Sequence, residues 1–270
     1  MATKKEDAEH DYARVNGLEL YYEVHGTGKP LILLHGGYGY TGMFSQIMGK
    51  LSENRKVIAV DLQGHGRTAI TDRPMSFDAL TDDIAELIHH LEYERADIMG
   101  YSFGGIIALR TAIRHPEVVD RLVVVSAGFS RSGFYPEVQA GMDRKGPEVA
   151  EWMKSTPMYQ AYVQVAPRKE DWPKFVAKMG DLMRTDYNWS EDVPKLKTPV
   201  MLVYGDADVI RTSHAVEFFE LLGGGKKDPG WDGSGMSNAR LAILPGITHY
   251  NIFTSDALAS TAVTFLDGTI

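Results

Sequence analysis

This sequence predicts an α/β fold, a mostly parallel sheet with helices on both faces, and three observations predict it. Continuous apolar runs such as Leu31-Ile32-Leu33-Leu34 and Leu122-Val123-Val124-Val125 read as strands buried on both sides. Those runs alternate with helical stretches, the order that builds parallel sheets. Glycine-rich loops follow several run ends, where an open parallel sheet places its ligands.

Taken in order, Tyr12–Val15 and Leu18–Val24 flank Asn16-Gly17, a strong hairpin signal, and give two strands. Pro30–His35 is a buried strand that empties into Gly36-Gly37-Tyr38-Gly39-Tyr40-Thr41-Gly42. A helix is expected from Phe44 to Leu51, then a strand over Val57–Asp61 and the loop Leu62–Thr68. Ser76 has the chemistry of an N-cap, and Leu80, Ile84, Leu87, Ile88 and Leu91 share one face of the helix it would start. Asp97–Tyr101 is the fifth strand and Leu122–Ala127 the sixth. Between Phe129 and Pro194 no β-rich run occurs, and Met and aromatic residues crowd together. This stretch is expected to be a helical insertion, giving a core of 1–128 and 195–270 and a cap of 129–194. Strands over Pro199–Tyr204 and Ala239–Leu244 and helices over Ala215–Leu222 and Asp256–Leu266 complete an eight-stranded count. The Gly-rich stretch 223–238 reads as a mobile surface loop.

A chain of 270 residues can bury one large core, and its 44% hydrophobic and 24% charged residues are ordinary for a globular protein. A net charge of −8 argues against a nucleic-acid footprint. Without cysteine there is neither a disulfide framework nor a thiolate metal site. The polar stretch Met1–His10 lacks the apolar segment of a signal peptide, and no apolar run approaches a membrane span, so a cytoplasmic protein is expected. Oligomeric state is not legible.

Three strand ends carry side chains that make a reaction centre. Gly100, Ser102 and Gly104 fit G-x-S-x-G, a tight strand-to-helix turn that presents a serine hydroxyl beside a helix N-terminus. Two carboxylates, Asp206 and Asp208, follow the strand ending at Tyr204, and His249 follows the last strand. A serine hydroxyl needs an adjacent base. Imidazole, with an ordinary pKa near 6.5, can take that proton and return it, and a carboxylate can hold the ring tautomer.

On His35-Gly36, Asp61-x-x-Gly64-His65-Gly66, Gly100-x-Ser102-x-Gly104-Gly105, Gly205-x-x-Asp208 and Gly246-x-x-His249, in that order, the chain resembles α/β-hydrolase-fold serine hydrolases over nearly its whole length. The resemblance implies a Ser102, Asp208, His249 triad, with Asp208 preferred to Asp206 because relatives use the last residue of G-x-x-D. It implies an oxyanion hole from the amides of Phe103 and Gly37. The adjoining Tyr38 could share or replace Gly37, since the double glycine and Gly39 widen the loop's choices. His35 and His65 are expected to be structural. His89 and His90 fall on a helix, His10, His25, His115 and His214 stand apart, and no histidine cluster has metal-ligand spacing.

The implied reaction is hydrolysis of a small-molecule carboxylic ester or lactone through an acyl-enzyme, without a cofactor. Serine rather than aspartate at the turn argues against dehalogenase or epoxide-hydrolase chemistry. Carbon–carbon bond hydrolysis and peracid formation use the same triad and stay open. Met side chains in the insertion suit a flexible acyl chain, with Tyr38, Trp152, Met153, Met158 and Tyr159 as candidate pocket residues. N-acyl-homoserine lactones are one such substrate class; alternatively the same residues form only the cap's own core. Two other readings compete. Gly37-x-Gly39-x-x-Gly42 with Asp61 beyond it matches a dinucleotide fingerprint, though that leaves Ser102, Asp208 and His249 without a role. Small-molecule receptors also occur on this fold.

Overall fold

The structure, a computed structural model, describes residues 9–144 and 146–268; the polar stretch at the start of the chain falls largely outside them. Eight strands form one sheet in the order β1-β2-β4-β3-β5-β6-β7-β8. The strands are β1 (Glu9–Val15), β2 (Leu18–His25), β3 (Lys29–Leu34), β4 (Arg55–Val60), β5 (Ala96–Tyr101), β6 (Val119–Val125), β7 (Val200–Ala207) and β8 (Ala239–Thr248). β2 runs antiparallel to β1 and to β4, and all other pairs are parallel. Asn16 and Gly17 both take positive φ, 46° and 80°, as a two-residue hairpin turn demands.

Strand alternation splits the apolar side chains between two cores. Ile32, Ile58, Ile98, Val124 and Leu202 face α2 (Phe77–His90), α3 (Phe103–Arg114) and α8 (Thr212–Leu221). Leu31, Val57, Met99, Val123 and Met201 face α1 (Met48–Leu51) and α9 (Asp256–Leu266). Ser76 caps α2, its side chain accepting from the Ala79 amide at 3.1 Å. Four helices lie between β6 and β7: α4 (Pro136–Met142), α5 (Pro147–Met153), α6 (Pro157–Val165) and α7 (Trp172–Met183).

Two elements differ from the sequence expectation. The helix expected over Phe44–Leu51 is a 3₁₀ turn at Thr41–Phe44 followed by the single-turn α1. Gly42 lies inside the first turn and Gly49 inside the second, and glycine weakens helix propagation through both, although Phe44, Ile47, Met48 and Leu51 are still buried at helical spacing. β8 runs past Pro245 to Thr248, tolerated because β8 is an edge strand and Pro245 has no ladder amide to lose. The Gly-rich stretch 223–238 is a run of largely exposed turns between α8 and β8.

The β5–α3 crossing is closed by backbone contact. A Cβ on Gly104 would lie 2.4 Å from the Leu34 carbonyl oxygen and 2.5 Å from that of His35, and neither atom can rotate away. Gly104→Ala is therefore expected to lower stability by at least about 1–3 kcal/mol. Gly49→Ala, with nothing within 4 Å of the added methyl, should be neutral or slightly stabilising. Urea midpoints of the two variants check this; equal midpoints would contradict it.

Candidate active site

Ser102 stands between β5 and α3 at φ 53°, ψ −116°, a backbone conformation that L side chains rarely adopt. Glycine permits the turn on either side, since a Cβ on Gly100 would lie 2.1 Å from the Gly104 carbonyl oxygen. The Ser102 amide donates to the Val125 carbonyl at 2.8 Å, which anchors the turn to β6.

Parallel register brings the other two side chains together. Ala207 on β7 pairs with Thr248 on β8 after a register shift beyond Gly205, so Asp208 and His249 leave the two strands side by side. His249 Nδ1 lies 2.9 Å from Asp208 Oδ1, and Nε2 lies 3.1 Å from Ser102 Oγ. A carboxylate only accepts, so Nδ1 carries the proton and Nε2 is free to accept from the serine hydroxyl. Asp206 is exposed and lies outside this chain of contacts.

Asp208 is more firmly held than its pattern reveals. Its Oδ1 also accepts from the Val209 amide at 2.7 Å, and Ser126 Oγ donates to Oδ2. Burial alone would raise this carboxyl, but the hydrogen bond and charge of His249 and the bond from Ser126 hold it below the usual range. Ser126 is fully buried at the end of β6, also at positive φ (52°). No motif marked it; its place one residue beyond the Tyr101–Val125 pair, beside Ser102, comes from sheet register.

Gly37, Tyr38, Ser102 and Phe103 line one cavity of about 1260 Å³. Phe103 is the first residue of α3, so its amide has no intrahelical acceptor. Gly37 lies beside it, since a Cβ there would come 3.6 Å from Phe103 Cβ. Gly37 and Phe103 thus stand side by side on the cavity wall that holds Ser102. Tyr38 takes φ 59° and turns its ring toward Phe175 (5.5 Å between centroids) and Trp172 (6.0 Å).

The far walls come from α4–α7. Met142, Met153, Met158, Met179 and Met183 all face the cavity, and Trp152 lies exposed at its edge. Tyr159 corrects the expectation: it is not a wall residue. One position along α6 from Met158, it turns about 100° away and packs edge-on against Trp172 at 5.2 Å. Within the Met- and aromatic-rich stretch, Tyr162, Trp172 and Phe175 form a buried block while the methionines line the cavity.

The remaining motif residues brace loops. His35 accepts from the Leu62 amide at Nε2 (3.1 Å) and donates from Nδ1 to the Gly36 carbonyl (2.8 Å). His65 packs its ring against Phe175 and Phe103. Asp61 is fully buried and accepts from the Thr41 and Arg67 amides, so it offers no free carboxylate to a ribose, as the dinucleotide reading requires. His115 and His214 are not solitary: His115 meets Asp82 at 2.7 Å, and His214 stacks on Phe129 at 4.1 Å. Among the described residues no group of three acidic or histidine side chains is placed to hold a metal ion, and no helix is long and apolar enough to cross a membrane.

Residues 31–261 match the sequence model of the alpha/beta hydrolase family. The 2-hydroxymuconate semialdehyde hydrolase of Pseudomonas sp. strain CF600 is 44% identical over 110 residues, covering 39% of each chain. The soluble epoxide hydrolase of Corynebacterium sp. strain C12 is 34% identical over 119 residues, 43% of this chain and 41% of that one. The matches span less than half the length of these curated relatives. Among solved structures, the enol-lactonase of Burkholderia xenovorans LB400 superposes with a TM-score of 0.73 at 22% identity, covering 95% of this chain and 99% of its own; this shows likeness of fold.

Burial pushes His35 down to about 4, against an ordinary value near 6.5. Between those values the unfolded chain binds a proton that the folded protein refuses, so stability is full above pH 6.5 and declines as pH falls toward 4. Asp61, raised by burial to about 6, works in the opposite sense, so wild type must be compared with His35→Gln. The wild-type unfolding free energy should fall more steeply than the variant's, by up to about 1.4 kcal/mol per pH unit. Urea titrations from pH 6.5 to 4.5 measure this, and parallel curves would contradict it.

Proposed function

The chain belongs to the alpha/beta hydrolase family, and from that premise we propose that it is a serine carboxylic-ester hydrolase acting through an acyl-enzyme. The observation that carries the proposal is the unbroken contact from Ser102 through His249 to Asp208, at 3.1 and 2.9 Å, on the wall of a large cavity. In this reading residues 129–194 are a cap on a core made of 1–128 and 195–270, and they shape the substrate pocket.

His249 Nε2 takes the Ser102 proton as Oγ attacks the carbonyl carbon. The Phe103 and Gly37 amides receive the negative oxygen of the tetrahedral intermediate. His249 then protonates the departing alkoxide, leaving an acyl-serine. Water adds to that ester with His249 again as base, and the acid is released with Ser102 restored. Asp208 stays ionised throughout, fixing the ring and stabilising its cationic form. No step requires a cofactor.

The substrate is an ester or lactone with an apolar acyl part. A cavity of about 1260 Å³ exceeds the usual range of roughly 300–1,000 Å³ for small-molecule sites. Its five methionines can repack around a flexible chain. N-acyl-homoserine lactones combine such a chain with a small cyclic ester and are the lactone class to assay first. The likeness to the epoxide hydrolase carries no epoxide activity into this reading, because serine stands at the turn.

With p-nitrophenyl esters of two to twelve acyl carbons, kcat/KM should peak at an intermediate or long chain. Ser102→Ala should lower kcat by about 10⁴-fold or more while leaving thermal unfolding nearly unchanged. Retained activity in the variant would defeat the mechanism. A flat response to chain length would defeat only the acyl-chain assignment.

A further inference from the structure

We propose that Tyr101 is a positioning residue, one that sets the His249 imidazole over Ser102 and braces the Gly36–Gly37 loop through a single rigid ring. The proposal rests on the hydrolase reading and adds a residue that no motif marks, because position x of G-x-S-x-G is unconstrained by the motif.

Tyr101 is the last residue of β5 and immediately precedes Ser102. Strand alternation sends its side chain to the α1 and α9 face of the sheet, where it is buried with Met99 and Val125. Its hydroxyl donates to the backbone carbonyl of His249 at 2.7 Å, joining residues 148 apart in sequence. The rings of the two residues lie 5.2 Å apart, and the ring of Phe253 packs against the tyrosine at 5.0 Å. Gly36 lies against the same ring: a Cβ there would be 2.7 Å from Tyr101 Cε1 and 2.9 Å from Cδ1. One side chain thus touches the loop that carries His249 and the loop that carries Gly37, from the residue next to Ser102.

A buried tyrosine hydroxyl commonly finds some carbonyl, so the choice of carbonyl is what matters. Tyr162 and Tyr204 donate to the carbonyls of Arg168 and Ala127, which are not members of the Ser–His–Asp chain. Tyr101 donates to the histidine's own backbone, one residue past the end of β8, where ladder bonds no longer fix the chain. The turn around it is closed by the Thr248 amide donating to Asn251 Oδ1 at 2.8 Å and the Tyr250 amide donating to Thr248 Oγ1 at 3.2 Å, bonds that hold the neighbours of His249 and not its own carbonyl. Burial raises the phenol far above its ordinary value, so the hydroxyl remains a donor over the whole working range. β5 lies near the middle of the sheet and is hydrogen-bonded to β3 on one side and β6 on the other, so the ring stands on a strand held along both edges.

The test uses an organophosphonate p-nitrophenyl ester, which labels an activated serine without requiring the natural substrate. Wild type, Ser102→Ala, Tyr101→Phe and Tyr162→Phe are compared by p-nitrophenolate release, intact mass and thermal unfolding. Tyr101→Phe keeps the ring and removes only the hydroxyl. It should be labelled about tenfold more slowly than wild type. In ester hydrolysis kcat should fall by a similar factor, with KM within twofold. Tyr162→Phe loses an equivalent hydroxyl-to-carbonyl bond in the insertion and should be labelled at the wild-type rate, with a comparable drop in melting temperature. Labelling of Tyr101→Phe at the wild-type rate overturns the proposal. So does an equal slowing in Tyr162→Phe, which would trace the effect to general loosening. Failure of wild type itself to be labelled at Ser102 overturns the underlying hydrolase reading, and is recognised by being independent of residue 101.

Discussion

The left-handed turn at Ser102 is the constraint on which the rest of the site depends. A non-glycine residue at φ 53° costs free energy that its own contacts must offset. Here the offset comes from position. The Ser102 amide is bound to β6, its carbonyl accepts from Ile106 in the first turn of α3, and the crossing of β5 and α3 admits no Cβ at residues 100 or 104. The strain is thereby fixed by the packing of the largest core. A serine so placed cannot relax into the helix, and its hydroxyl stays directed at the cavity.

Parallel register then does for Asp208 and His249 what the turn does for the serine. Neighbouring parallel strands end side by side, so residues just past paired positions become neighbours whatever their separation in sequence. Tyr101 pairs with Val125, which sets Ser102 beside Ser126; Ala207 pairs with Thr248, which sets Asp208 beside His249. The contact from Ser126 to Asp208 links the two pairs across the sheet. Four polar side chains thus converge at the carboxyl ends of β5 to β8, each one residue past the end of its strand. Strand register of this kind brings a hydroxyl, an imidazole and a carboxylate into line before any ligand arrives.

Much of this was legible in the sequence, for a physical reason. Continuous apolar runs announce strands buried on both faces, and glycines at a tight crossing cannot be replaced, so the sheet and the serine turn both leave marks. The Asp-Ala-Asp run is ambiguous by sequence alone, and the structure places Asp208, not Asp206, against the imidazole ring. What could not be read depends on register or on neighbours remote in sequence. Ser126 follows an ordinary apolar strand, Tyr101 occupies an unrestricted motif position, and Tyr159 differs from Met158 only by the direction each takes around α6. Asp97 opens an apolar strand, yet it is fully buried because Arg55 and Lys29, from β4 and β3, meet it at 2.6 and 3.0 Å. Periodicity cannot reveal a charge whose partners lie on other strands.

The insertion is not uniform in how it is held, and the difference bears on how a substrate would reach Ser102. α7 buries Trp172, Phe175, Val176, Met179 and Leu182, and its Phe175 packs against Tyr38 and His65, the loops that flank Gly37 and follow Asp61. Displacing α7 would disturb the loop that offers the proposed oxyanion donor. α4 buries no residue, α5 buries Ala150 and Met153, and α6 buries Tyr162. Segments with few buried contacts open at low free-energy cost. α4 to α6 also carry Met142, Met153 and Met158, whose unbranched side chains repack readily. Phe175 on α7 therefore ties the insertion to the loops beside Ser102, and in the proposed hydrolase the accommodation of substrates of different length would fall to the loosely packed helices before it.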